Sequence, residues 1–266
     1  MKMKIKFLFL LLVLILISCK ENKITFIQMC DTQLGFGGYE EDKIRFVKAV
    51  EKINLLNPDF VLVCGDLVDR ANEKSFEDFL EIKEKFKVPC FLAPGNHDVG
   101  NNPNSKSLEF YRKKIGADYF VQEFENYALV VANSQLWKVE VEEESQKHND
   151  WFLETIKNLN SKNKNIFVGM HFPFFVENVK EEENYYNFPI GKRLEILEFL
   201  SENEIKAVFS GHAHKTIFNN YKNIKLASTE TTSRNFDKRP FGFRLWTFDT
   251  KNDSLSNKFY GLEETK

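Results

Sequence analysis

From residue 24 onward the chain repeats one arrangement: a short apolar run, often β-branched, breaks at a small residue and then turns polar. Residues 24–30, 60–63, 90–93, 166–168 and 207–210 show it, and 127–132 reads as a further strand. Runs this short and this apolar predict strands buried on both faces. Between them the spacing changes. Phe46, Val47, Val50 and Ile53 share one helical face, and Asn57-Pro58 stops that helix. Ser75 with Asp78 three residues on is a capping-box pattern, predicting a second helix with Phe79, Ile82 and Phe86 inward. Further helices are expected over 151–159 and around Ile196, Leu197 and Leu200. Alternating residues at 215–227, 242–249 and 255–260 predict closing strands. Strands alternating with helices place the chain in the α/β class.

The polar residues at the end of each run carry the chemistry. The run at 60–63 leads into Cys64-Gly65-Asp66-Leu67-Val68-Asp69-Arg70, and the first strand ends in Asp31-Thr32-Gln33. The others end in Gly95-Asn96-His97-Asp98, Gly169-Met170-His171 and Gly211-His212-Ala213-His214. Ligands bind at the carboxyl ends of strands in open α/β sheets. A carboxylate at a core edge is costly unless something compensates it, and a cation does so. Asp66 alone also fits a surface turn with an Asp69–Arg70 pair. Yet four of only five histidines fall at these strand ends, which chance placement explains poorly. Oxygen and imidazole donors without thiolate suit Mn, Fe or Zn.

Composition narrows the setting. The 266 residues are 42% hydrophobic and 14% aromatic, ample for a core, with no internal linker or repeat. A formal charge of −2, from 37 basic and 39 acidic residues, gives no sign of a nucleic-acid partner. A charged opening and the unbroken apolar stretch 7–17 have the form of a signal peptide, too short to span a bilayer. It ends in Leu16-Ile17-Ser18-Cys19, which resembles a lipobox. The expectation is a signal peptide over 1–18, lipidation at Cys19, a tether over 19–23 and one domain over 24–266. Four extended residues between lipid and domain reach at most ~14 Å, so the domain would sit close to a bacterial membrane, outside the cytoplasm. Lys20 suits sorting to the outer membrane. Cys30, Cys64 and Cys90 lie in or beside apolar runs and read as buried free thiols.

Taken together, Gly65-Asp66 with Asp69-Arg70, Gly95-Asn96-His97-Asp98, His171 and Gly211-His212-Ala213-His214 resemble the motifs of the calcineurin-like metallophosphoesterases in order and spacing. Asp31-Thr32-Gln33-Leu34-Gly35, residues 95–102 and Tyr185-Tyr186-Asn187-Phe188 resemble the subgroup of calcineurin-like phosphoesterase domain-containing proteins, whose animal members act as serine/threonine phosphatases. The resemblance implies a four-layer α-β-β-α sandwich of two mixed sheets flanked by helices. It implies two divalent metals bridged by Asp66, one held by Asp31 and His214, the other by Asn96, His171 and His212. It also makes His97 the outer acid, oriented by Asp69, and gives Arg70 a phosphate oxygen to contact. Gln33 departs from the histidine most of the superfamily has as a first-metal ligand, so a weaker or more oxygen-loving first site is expected.

The function expected is metal-dependent hydrolysis of a phosphate ester, a monoester first, by a hydroxide on the dinuclear centre. The alternatives are a phosphodiesterase or nucleotide pyrophosphatase, and a lipoprotein that binds metal or phosphate without turnover. A domain outside the cytoplasm would meet nucleotides, sugar phosphates and lipid head groups as substrates. Tyr185 and Tyr186 are candidates for the substrate pocket. Lys215, Arg234, Lys238 and Arg239 could attract an anion. His148, in the polar stretch 146–150, reads as a solvated bystander.

Overall fold

The computed structural model describes residues 23–263, so the expected signal segment and Cys19 lie outside the described residues. One five-stranded sheet holds β1 (Lys23–Met29), β2 (Phe60–Cys64), β3 (Cys90–Ala93), β10 (Gly242–Asp249) and β11 (Ser254–Gly261), in the order β11-β10-β1-β2-β3. The other has six: β4 (Phe120–Glu123), β5 (Tyr127–Val131), β6 (Asn165–Gly169), β7 (Ala207–Ser210), β8 (Ile217–Tyr221) and β9 (Ile224–Ser228), in the order β4-β5-β6-β7-β9-β8. Both are mixed. β1, β2 and β3 run parallel, as do β5, β6, β7 and β9, while β10, β11, β4 and β8 pair antiparallel.

The period of two in these strands builds three cores between four layers. Along β1 and β2, Ile27, Met29, Val61 and Val63 face α1 (Tyr39–Leu56), α2 (Glu73–Lys83) and α4 (Ser105–Lys114). Their neighbours Phe26, Phe60, Leu62 and Cys64 face the other sheet. There Phe26 stacks on Phe60 at 4.9 Å and meets Phe209 edge-on at 5.1 Å across the sandwich. On the far side Ile166, Val168 and Val208 pack under α6 (Glu142–Ser161) and α7 (Ile190–Glu202). The one-turn helices α3 (Asn96–Val99) and α5 (Gln135–Lys138) come shortly after β3 and β5. The expected α-β-β-α sandwich is present.

Four local expectations change. Helix α2 begins at Glu73 because Asn72, not Ser75, is the cap: its side chain accepts from Ser75 N (3.0 Å), and Ser75 Oγ accepts from Asn72 N (3.2 Å). Asp78 instead accepts from Tyr39 Oη at 2.8 Å. The 151–159 helix is the second half of α6, whose polar first half also folds. Residues 215–227 are a hairpin that turns at Lys222, φ 49°. The strand β4 and helix α4 carried too little apolar pattern to be recognised; Leu108 and Tyr111 alone of α4 are buried. Cys30 and Cys64 are buried free thiols as expected, while Cys90 is half-buried.

Candidate metal centre

The ligand-type residues all lie just beyond the carboxyl ends of β1, β2, β3, β6 and β7. Five of them, Asp31, Gln33, Asp66, His212 and His214, have positive φ (47°, 35°, 49°, 64° and 52°). Such backbone costs of order 1–3 kcal/mol per residue and persists only where surroundings over-determine it. Here the loops are tied to one another: Gln33 N donates to Asp66 O (2.8 Å), Gly211 N to His171 O (2.9 Å), and His212 N to both oxygens of Asp31 (3.0 and 3.1 Å). The glycines are there for room. A Cβ on Gly95 would lie 2.1 Å from Asp66 Oδ1, and one on Gly65 would lie 2.6 Å from His171 Nδ1.

These loops deliver two groups of ligand atoms, each gathered within 4.8 Å: Asp66, His171 and His212, and Asp31, Asp66 and His214. Asp66 belongs to both. Its Oδ2 lies 3.3 Å from His171 Nε2, and its Oδ1 accepts from His97 N at 2.9 Å. Asp31 Oδ1 lies 3.6 Å from His214 Nε2. Asn96 Oδ1 is 2.9 Å from His171 Nε2, while Asn96 Nδ2 donates to Tyr185 Oη at 3.2 Å.

The donor set fits a cation. A carbonyl oxygen can only accept, so each imidazole must donate from the nitrogen that faces one. His171 Nδ1 donates to Cys64 O (2.8 Å), His212 Nε2 to Tyr185 O (3.1 Å) and His214 Nδ1 to Arg234 O (2.5 Å). In the neutral ring this leaves His212 Nδ1 and His214 Nε2 as lone pairs, as metal-binding histidines require, whereas His171 Nε2 faces Asn96 Oδ1 and Asp66 Oδ2 and carries a proton while no cation takes its place. Gln33 adds a buried Oε1 with no hydrogen-bond partner, an orphan acceptor of the kind a cation would satisfy. The charges are strongly linked. Burial opposes ionisation of both partners, yet His171 holds Asp66 well below the carboxylate range, and Asp66 and Asp31 raise His171 to about 9. A proton on His171 therefore supplies positive charge that a metal would supply instead.

Around the cluster, His97 Nδ1 donates to Asp69 O (2.8 Å) and lies 3.4 Å from Asp69 Oδ1. Asp69 thus orients His97 mainly through its backbone. Tyr185 and Tyr186 stand over His212, with ring centroids 4.8 and 5.7 Å away. Arg70 projects into solvent, 91% exposed, with Nε 3.8 Å from Asp69 Oδ2. Arg239 pairs with Glu230 and Asp237 instead of facing the cluster alone, and Arg234, Lys238 and Lys215 are exposed.

Two supporting residues stand outside the expected set. Asp98 accepts from Leu67 N (3.0 Å), Val68 N (3.3 Å) and Gly95 N (2.8 Å), tying the Asp66 loop to the Asn96 turn. Burial and the neighbouring Asp66 raise it to about 7. Its place directly after Asn96-His97 was the available signal. Ser134 Oγ accepts from His171 N (3.2 Å) and Phe172 N (3.1 Å), and nothing local in the sequence announces it.

His148 is the clear correction. It is wholly buried, ringed by Tyr119 and Trp137 at 5.0 and 4.9 Å, and Nε2 accepts from Asn133 N at 3.2 Å. It faces inward from α6 because Trp151 and Phe152 come after it at helical spacing. Burial pushes it down to about 3, so it is neutral in the fold. The unfolded chain, near pKa 6.5, binds the proton first. Stability from this site is present above about pH 6.5 and is lost as pH falls toward 3. Wild type should therefore lose about 3 kcal/mol more than His148→Leu between pH 7 and 4. Urea unfolding at the two pH values checks this; equal losses would refute it.

A two-sheet sandwich with carboxylates, an amide and imidazoles gathered at its strand ends defines a metal-dependent hydrolase of phosphoester bonds. The chain belongs to the calcineurin-like phosphoesterase family, whose profile matches residues 24–216. It is 28% identical over 264 residues to the serine/threonine-protein phosphatase CPPED1 of Bos taurus, covering 90% of this chain and 84% of the relative. The Homo sapiens protein of that name is 28% identical over 243 residues, covering 86% and 77%. In fold it is similar to a dimetal phosphatase from Danio rerio, with TM-score 0.68 and 13% identity over 91% of this chain and 97% of that one.

Proposed function

We propose that the protein is a phosphomonoesterase working with two divalent cations outside the cytoplasm. The observation that carries this reading is the shared carboxylate: both groups of ligand atoms meet at Asp66. Asp31, Gln33 and His214 would hold one cation, and Asn96, His171 and His212 the other. Oxygen and imidazole donors suit Mn, Fe or Zn. Bound cations make a water acidic near neutral pH and offset the charge that grows on phosphoryl oxygens. The chain's own residues do the rest. His97, its Nδ1–H donating to Asp69 O, would act in its imidazolium form, handing the Nε2 proton to the leaving alkoxide and returning to the neutral ring. Arg70, long and solvent-borne, can match two phosphate oxygens with its planar donors. Similarity to phosphatases named for serine and threonine supports a monoester.

The test is hydrolysis of 4-nitrophenyl phosphate and bis(4-nitrophenyl) phosphate by Mn-loaded protein, with the monoester turned over faster. A faster diester would make it a phosphodiesterase. Bound Mn with neither ester turned over would leave a binding protein.

The setting rests on Leu16-Ile17-Ser18-Cys19. Cys19 becomes a lipid anchor, so bacteria fed labelled palmitate should incorporate label into wild type and none into Cys19→Ala. Label retained by the variant would overturn the anchor.

A further inference from the structure

The exposed aromatic rings gather at the mouth of the Asp66 cluster. Among the described residues Tyr185, Tyr186, Phe218 and Phe236 are the large aromatics left exposed, and Phe218 alone lies elsewhere, 6.2 Å from Trp246. Phe236, 40% exposed, stacks on His214 at 4.7 Å with 20° between the planes. It meets Phe36 edge-on at 6.2 Å. The Phe36 ring is 5.3 Å from His214 and 6.3 Å from His97. It therefore lies between a ring of the metal cluster and the ring that faces the leaving group. The Arg234 guanidinium lies over Phe36 at 5.5 Å.

Packing accounts for one side of this wall and leaves Phe236 open on the other. Its rings come from two separate loops, and Phe236, fixed by its backbone N donating to His214 O at 2.8 Å, stacks one face on His214 and remains 40% exposed. Apolar surface beside a polar site is the usual mark of a binding surface. Rings prefer to meet other rings offset or edge-on, with centroids about 4.5–7 Å apart. We propose that Phe36 and Phe236 form a subsite for a planar ring on the alcohol half of the ester. The substrate class is then benzyl-, aryl- or nucleoside-type phosphates in preference to simple alkyl phosphates. This rests on the phosphoesterase reading and adds the leaving group to it.

Benzyl phosphate and cyclohexylmethyl phosphate test the point, because both release a primary alcohol and differ in ring planarity. Stacking of this kind should favour the benzyl ester by about three- to tenfold in kcat/KM. Benzylphosphonate, which is not hydrolysed, should bind more tightly than cyclohexylmethylphosphonate by a similar factor in calorimetry. In Phe36→Leu and Phe236→Leu the two ratios should fall to within about twofold. Adenosine 5′-monophosphate against ribose 5-phosphate asks whether a nucleobase can be the ring. A preference there adds nucleotides to the class, and none confines it to aryl and benzyl esters. Equal handling of benzyl and cyclohexylmethyl compounds by wild type overturns the subsite and leaves the phosphoesterase standing. No hydrolysis of any ester by metal-loaded protein overturns the underlying reading.

Discussion

In Asp66→Asn, hydrolysis of 4-nitrophenyl phosphate falls by at least about 10³-fold, and the protein no longer retains its full complement of metal. Asp66 is the one residue in both groups of ligand atoms, so a single change weakens both at once. Losing any other ligand would damage one group. The amide has nearly the volume of the carboxylate, so circular dichroism should report an intact fold. Metal content by mass spectrometry and the initial rate are the two readouts. Activity within tenfold of wild type, or unchanged metal content, would remove Asp66 from the centre of the site.

Arg193→Met is expected to lower the free energy of unfolding by about 3–5 kcal/mol. Arg193 is wholly buried on α7. Its Nη1 donates to Val179 O (2.8 Å) and Glu181 O (2.9 Å), and its Nη2 to Phe188 O (2.7 Å). Methionine fills the space but donates nothing, so three carbonyls of the 176–189 loop lose their partner. That loop carries Tyr185, which accepts from His212 Nε2 through its carbonyl and from Asn96 Nδ2 through its hydroxyl. Loosening it should also raise KM. Urea unfolding and steady-state kinetics measure the two effects. A loss below about 1 kcal/mol would show that Glu181, which accepts from Val176 N, Glu177 N and Asn187 Nδ2, holds the loop unaided.

Strands such as β2 were legible because every residue is buried, so burial on both faces wrote itself as an unbroken apolar run. The ligand-type residues that gather in the cluster were legible because each stands close behind such a run. Helix α4 was not, since its cap at Asn104 and two buried residues are a weak local signal. Nor was His148, whose immediate neighbours are polar; its aromatic cage includes Tyr119 and Trp137, each more than ten residues away.

The alternation of buried strands with helices, the class of fold and the kinds of donor were therefore set by sequence alone, because burial and turn chemistry act over a few neighbouring residues. Which donors share a carboxylate, which nitrogen of His212 and of His214 is left bare, and which rings wall the mouth were decided only by tertiary structure. Those contacts join residues such as Asp31 and His212, 181 positions apart. No local rule reaches that far; the packing of two sheets does.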